Sequence, residues 1–277
     1  MSMVIKMEET KEMLELEKKN HKLNDKNRKV ENKEEHKKEK AQRKENKSIL
    51  LEPKRKLKIE KKERARKLNE PPRRPILEEI GNAITHGVGA ILAIIAFILL
   101  ILKSDTGLKI TASVVYGFSM FFMMLMSCLY HSFKGGSKVK RLWRRFDYTS
   151  IYLLIGGTFA PIYLVYWGNI LGIVLFIIQW LLISLGITFV CTFGPGRFKW
   201  LHYTLYFAIG WSGLMFIPDF IENNLNLLWT ILGGGLAYTL GMIPFAKKGV
   251  KSAHFIWHFF VLAGAIVQYV GIILFIY

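Results

Sequence analysis

The hydrophobic positions of this chain form seven separate apolar runs, which all lie after residue 78. They cover residues 82–102, 108–132, 147–167, 169–190, 200–217, 225–245 and 253–276. A transmembrane helix needs about 20 mainly apolar residues, because each residue adds about 1.5 Å across a hydrocarbon core of about 30 Å. The pattern therefore predicts an all-α fold, a bundle of seven transmembrane helices in a multi-pass membrane protein.

The third and fourth runs are separated by only a short interruption. Residues 147–190 could form one long helix, but Trp167, Gly168 and Asn169 stand in the middle of it. An aromatic residue is typical of the membrane interface, and glycine and asparagine are typical of turns. We therefore count two spans in this stretch.

Residues 1–75 have a different composition. They hold 26 of the 39 Lys and Arg residues and 15 of the 21 acids, a net charge of +11. Apolar residues recur at sevens only at Leu16, Leu23 and Val30, too few for a coiled coil. A segment that buries so little apolar surface cannot offset its chain entropy. We predict a basic, largely disordered cytosolic tail over 1–75, followed by a seven-span membrane domain over 76–277.

The charge of this tail suggests a partner. Basic segments beside a membrane are attracted to anionic lipid head groups, so we expect residues 1–75 either to contact membrane lipids or to remain fully solvated. The tail lacks the interleaved aromatic residues on which nucleic-acid bases stack, so we do not expect nucleic-acid binding.

The loops between the runs differ in charge, which predicts the orientation. Basic residues follow the second, fourth and sixth runs, whereas the other loops contain few. Under the positive-inside rule, this alternation places the amino terminus in the cytosol and Tyr277 outside. The pattern does not distinguish the plasma membrane from an internal membrane.

Five polar residues fall at the predicted cytosolic ends of three spans. Ser127 and His131 end the second span, Asp147 opens the third as the only acid within a run, and His254 and His258 begin the seventh. Residues four apart share one face of a helix, so three imidazoles can converge from two helices. Three histidines without a cysteine suit Zn²⁺ with one open coordination position. The pattern predicts an intramembrane zinc centre.

Several stretches of sequence resemble those of a known family. They are EEIGNAITHGVGA from Glu78, SCLYHS around His131, RRFDYTSIY around Asp147, the following GGTFAPIYL, and HFIWH in the last run. Together they are similar to the hemolysin III family, which is related to the progestin and adipoQ receptors and remotely to the alkaline ceramidases. The resemblance covers roughly residues 76–277.

The resemblance implies roles for individual residues. In these families a seven-helix bundle with a cytosolic amino terminus holds zinc through three histidines, here His131, His254 and His258. Asp147 matches an aspartate that hydrogen-bonds the metal-bound water, and Ser127 matches a serine four residues before the first histidine. The related ceramidases suggest a hydrolase of lipid amides or esters, with Asp147 as general base and Ser127 orienting Asp147 or stabilising the oxyanion.

Two other functions remain open. The family name suggests a cytolytic, pore-forming protein, although a pore needs a polar stripe along several spans and these runs carry their charge at one end. The related receptors suggest a lipid-sensing receptor with structural zinc.

Some of these residues also have an ordinary structural interpretation. His131 and His254 can be interfacial side chains, Asp147 can stabilise a helix start, and Ser127 can bond a carbonyl one turn back. His86 is as consistent with packing as with function, and His202 is a weaker candidate still.

Overall fold

The computed structural model describes residues 2–247 and 250–277, with side chains from Met13 onward. Within these residues the chain is helical and contains seven helices long and apolar enough to cross a membrane. The predictions of an all-α fold and of seven spans are confirmed. The orientation of the termini stays a prediction.

The helices follow one another with short connections. They are α1 (Ser2–Leu68), α2 (Ile76–Leu102), α3 (Gly107–Ser132), α4 (Lys138–Pro161), α5 (Ile170–Phe193), α6 (Lys199–Gly210), α7 (Ile217–Asn223), α8 (Leu225–Ala246) and α9 (Ala253–Phe275). A π turn at Ile162–Tyr166 extends α4, and a 3₁₀ turn at Ser212–Phe216 joins α6 to α7. The third span thus covers Lys138–Tyr166, and the fifth covers Lys199–Asn223.

Helix α1 differs from the other long helices because it has no buried face. From Met13 to Arg64 nearly every side chain is exposed, and residues 1–64 form a unit separate from residues 65–277. An isolated polar helix gains no stability from packing of an apolar face. The predicted boundary near Pro75 and the predicted disorder of residues 1–75 stay predictions.

Two spans begin earlier than their apolar runs. Helix α2 begins at Ile76, directly after Pro75, rather than at residue 82. Helix α4 begins at Lys138, where the Ser137 side chain caps the backbone N–H of Lys140, rather than at Asp147. A cap or a proline sets the start of a helix, and it need not coincide with the start of the apolar run.

The earlier starts correct two predictions. The first turn of α2 contains Glu78 and Glu79, so Asp147 is not the only acid within a span. Asp147 itself lies nine residues into α4 and does not open the span. Carboxylates of two further residues are therefore available near the predicted site.

The packing of α2, α3, α4 and α9 positions the site. Helix α3 packs against α2 and α4, and α9 packs against α2 and α8. Gly157 allows close approach of α4 to α3, since a Cβ there would lie 2.6 Å from the Cβ of Ser119. Because successive spans run in opposite directions, the amino ends of α2, α4 and α9 meet the carboxyl end of α3. We call this end of the bundle the site end.

A three-histidine cluster at the site end of the bundle

His131, His254 and His258 lie together at the site end. The Nε2 atom of His254 is 3.3 Å from the Nε2 atom of His131 and 3.3 Å from that of His258. One ring nitrogen from each histidine lies within 4.8 Å of the others. The structure therefore brings together the three imidazoles that the sequence predicts as metal ligands.

The start of α9 is fixed to α2 by a backbone contact. Ser252 adopts a left-handed conformation with φ of 62°, and its N–H donates to the Glu78 carboxylate at 3.3 Å. Helix α9 begins at the next residue, which places His254 and His258 in its first two turns. The other predicted ligand, His131, lies in the last turn of α3.

The spacing of the three rings fits a metal ion. Nitrogens bound tetrahedrally to zinc at about 2.0–2.1 Å stand about 3.3 Å from each other. Two of the Nε2 separations have this value. Neutral imidazoles whose lone pairs converge without a shared proton or cation would repel each other. The cluster is thus suited to hold a cation.

Glu79 determines which nitrogen of His131 faces the cluster. Its Oε2 atom lies 2.6 Å from Nδ1 of His131, and its Oε1 atom lies 2.9 Å from Nζ of Lys140. A carboxylate accepts, so Nδ1 of His131 carries the proton and Nε2 keeps its lone pair toward His254. This carboxylate–histidine pairing is the usual support of a metal ligand.

Sequence reasoning missed Glu79 and Lys140. Both lie outside the apolar runs, and the Lys140 side chain is only 1% exposed although its position predicted a cytosolic loop. A signal was present, because Glu79 and His86 are seven residues apart and share one face of α2. Acids are scarce after residue 75, which also marks Glu79 as a candidate functional residue.

Ser127 and Asp147 lie across a cavity from two of the histidines. The cavity has a volume of about 560 Å³, and its walls include Ser127, Asp147, His254 and His258. His131 adjoins the cavity through its contact with His254. All five residues predicted from the sequence thus lie at the site end, and their roles stay predictions.

The structure distinguishes between the other two histidines of the membrane domain. The His86 ring stacks on His258 with the ring centroids 3.8 Å apart, so His86 forms part of the cavity wall. His202 lies elsewhere, where its Nδ1 atom is 2.9 Å from the hydroxyl of Tyr152. His86 therefore belongs to the surroundings of the cluster, and His202 does not.

A second, apolar chamber of about 130 Å³ adjoins this cavity. The residues common to both walls are Met123, Tyr148, Ile151, Tyr203, Phe245, Trp257 and Val261. The chamber continues between α4, α6, α8 and α9 toward the middle of the bundle. The polar cavity beside the histidines thus borders a mainly apolar space.

We expect Glu79→Gln to weaken metal binding by about 10–100-fold, the usual effect of losing a carboxylate that supports a histidine ligand. Glutamine keeps the size of the side chain but removes the charge that faces His131 and Lys140. Titration of the metal-free protein with Zn²⁺ against a competing chelator measures the change.

The matched control is Glu222→Gln, because Glu222 is exposed on α7 at the opposite end of the bundle. It should bind metal as the unaltered protein does. Equal affinities in both variants would show that Glu79 does not support the cluster.

Comparison with known proteins gives consistent matches over the membrane domain. The model of the family described as Haemolysin-III related matches residues 75–269. This match confirms the resemblance predicted from the motifs around His131, Asp147 and His254.

The region matched to each individual relative covers most of that relative's length. The chain is 38% identical to "Hemolysin-3" of Bacillus cereus over 205 residues, which are 73% of this chain and 93% of that protein. It is 34% identical to a "Hemolysin-3 homolog" of Bacillus subtilis (strain 168), over 69% of this chain and 90% of the relative. It is also 30% identical to the human "Monocyte to macrophage differentiation factor", over 72% of this chain and 85% of that protein.

Proposed function

Because this chain belongs to the Haemolysin-III related family, we propose that it is a multi-pass membrane hydrolase that uses zinc to cleave lipid amides or esters. One observation carries the proposal. Three imidazoles converge beside a cavity whose walls include two of them together with a carboxylate and a hydroxyl, and this cavity borders an apolar chamber within the membrane domain.

The donor set favours zinc among the common metals. His131, His254 and His258 supply three neutral nitrogens, which suit a borderline-soft ion better than Mg²⁺ or Ca²⁺. Bound through three protein ligands, zinc acidifies water and polarises a carbonyl group. The same donors also suit other transition metals, and elemental analysis of the purified protein distinguishes zinc from these.

The side chains around the cluster have distinct roles in the proposed reaction. Asp147 accepts a proton from the attacking water and later gives it to the departing amine or alcohol. Ser127, which lines the same cavity, orients the Asp147 carboxylate in this reaction. Glu79 accepts from Nδ1 of His131, which keeps the lone pair of Nε2 directed into the cluster.

The apolar chamber accounts for the choice of a lipid. Its walls include Phe159, Phe207, Trp211 and Met242, which offer an apolar surface for an acyl chain. The chamber adjoins the cavity at Tyr148 and Trp257, so a chain held there places its linkage near the histidines. A lipid has an apolar chain that can occupy the chamber, whereas a water-soluble substrate has none.

The proposal includes an orientation. Basic residues gather at the site end, so the positive-inside rule places that end, and the basic tail before it, in the cytosol.

The test is hydrolysis of a lipid panel by the purified protein in detergent or liposomes. We expect release of fatty acid from at least one amide-linked or ester-linked lipid, loss of this activity with a zinc chelator, and recovery when Zn²⁺ is restored. Mass spectrometry of the released acid measures the reaction.

Two other results would favour the alternatives. Zinc binding without cleavage of any lipid would favour a receptor in which zinc is structural. Leakage of a dye from liposomes that survives the joint change His254→Ala and His258→Ala would favour a pore, as the name of the Bacillus cereus relative suggests.

A further inference from the structure

The mouth of the histidine cavity is strongly basic. Among the described residues that line the cavity, six are basic and two are acidic. The basic residues are Arg73, Arg74, Arg144, Lys199, Lys247 and Lys251, and the acidic residues are Glu78 and Asp147. A narrow space lined by one sign of charge attracts ions of the opposite sign. A bound metal cation would add further positive charge to the same space.

Within this group, Arg74 has a buried guanidinium nitrogen without a hydrogen-bond partner among the described residues. Its Nε atom lies 3.8 Å from Glu78 Oε1, which makes a long ion pair. The Nη1 atom is buried and has no hydrogen-bond partner among the described residues. A buried guanidinium N–H that lacks an acceptor is costly, so this atom is available to donate to an acceptor group of a ligand in the cavity.

The acids of the site end do not supply this acceptor. Glu79 already pairs with Lys140 and with His131. Glu70 accepts from Arg141, and Glu78 accepts from the backbone N–H of Ser252. Glu78 and Asp147 offset part of the positive charge of the cavity wall, where the basic residues outnumber these acids by six to two.

The backbone around Arg74 is conformationally restricted. Arg74 lies in the segment Pro71–Pro75, in which three of the five residues are proline. Proline fixes its own φ angle and restricts the residue before it, so Arg74 loses less chain entropy when it binds a ligand. The guanidinium fork also matches the paired oxygens of a phosphate.

The two ends of the cavity therefore differ in the chemistry they favour. The mouth presents cations, and the inner side continues into the apolar chamber past Tyr148 and Trp257. An amphipathic ligand with an anionic head and an apolar chain fits both.

We infer that the lipid recognised at this site carries a phosphate in its head group and that Arg74 binds this phosphate. This inference rests on the proposed function, since it names the class of lipid that the histidine site receives. Neutral lipids with the same chains lack the group that Arg74 would bind.

The experiment compares two lipids that differ only in the phosphate. Full-length, zinc-loaded protein in detergent is titrated with ceramide and with ceramide 1-phosphate of identical chains, and bound lipid is measured by mass spectrometry. We expect the phosphate lipid to bind about tenfold more tightly or better, as for other charged hydrogen bonds. Equal binding of the two lipids by the unaltered protein would overturn the inference.

Variants then test the role of Arg74. Arg74→Gln should reduce the preference for the phosphate lipid by about tenfold, whereas Arg74→Lys should keep part of it because the charge remains. The control is Arg197→Gln, since Arg197 is a basic residue of the loop before α6 that does not line the cavity. An unchanged preference in Arg74→Gln would assign the phosphate to other residues.

A third arm separates a lipid from a free anion. Inorganic phosphate should compete weakly, because it cannot occupy the apolar chamber. Competition by inorganic phosphate as effective as that of ceramide 1-phosphate would make the site one for a free anion and overturn the lipid assignment.

Failure of the inference and failure of the proposed function can be told apart. Preferred binding of the phosphate lipid without cleavage of either lipid would retain the inference and reject the hydrolase. Cleavage of both lipids with equal affinity would retain the hydrolase and reject the inference.

Discussion

Purified protein is expected to contain about one zinc ion per chain, and His131→Ala, His254→Ala and His258→Ala are each expected to remove it. Each change leaves two imidazoles where three now converge within 4.8 Å. Loss of a ligand should reduce affinity by more than the about 10–100-fold that loss of a supporting side chain costs. Elemental mass spectrometry on detergent-purified protein measures the metal.

The control for this prediction is His202→Ala. His202 is fully buried, and its ring contacts Tyr152 rather than the cluster. The change therefore removes a buried imidazole without removing a predicted ligand. This variant should keep its zinc. Folded protein that contains no metal, or zinc retained in all three ligand variants, would remove the basis of the proposed hydrolase.

The second large effect is expected for Asp147→Asn, which should lower kcat for lipid hydrolysis by about 10²–10⁴-fold, the usual contribution of a general base. Asparagine has nearly the shape of aspartate, but its neutral amide cannot accept the proton. Zinc content should not change, because Asp147 is not among the three clustered ligands.

Two comparisons make this result specific. Asp105→Asn should leave kcat unchanged, because Asp105 is exposed before the start of α3 and its carboxylate pairs with Lys109. Ser127→Ala should cost only about tenfold, since it removes one hydrogen bond and leaves the carboxylate in place. If Asp147→Asn lost its zinc together with its activity, the residue would be structural and the general-base role would be wrong.

These predictions depend on features that sequence reasoning did reach. The spacing of four residues between His254 and His258 places both on one face of a helix, whatever the neighbouring helices do. The lengths of the apolar runs likewise determine seven spans, because the thickness of the bilayer sets the length of a spanning helix. The alternating direction of successive spans then brings His131 to the same end as His254.

Other features depended on where the helices begin. The apolar run placed the start of the first span at residue 82, but α2 begins at Ile76 after Pro75 and includes Glu79. The run also placed Lys140 in a loop, whereas it lies in the first turn of α4 and is buried against Glu79. Hydropathy cannot detect a paired charge of this kind, because each charge by itself lowers the apolar score.

The sequence by itself thus determined the all-α membrane fold, the seven spans, the family, and the three histidines that would hold a metal. These follow from periodicity, run length and motifs, which are local properties of the chain. Only the tertiary structure showed that Glu79 supports His131 from 52 residues away, that Arg74 stands at the mouth of the cavity, and that an apolar chamber adjoins it. Such contacts join residues from different helices, and their existence depends on how the helices pack and not on the pattern within any one of them.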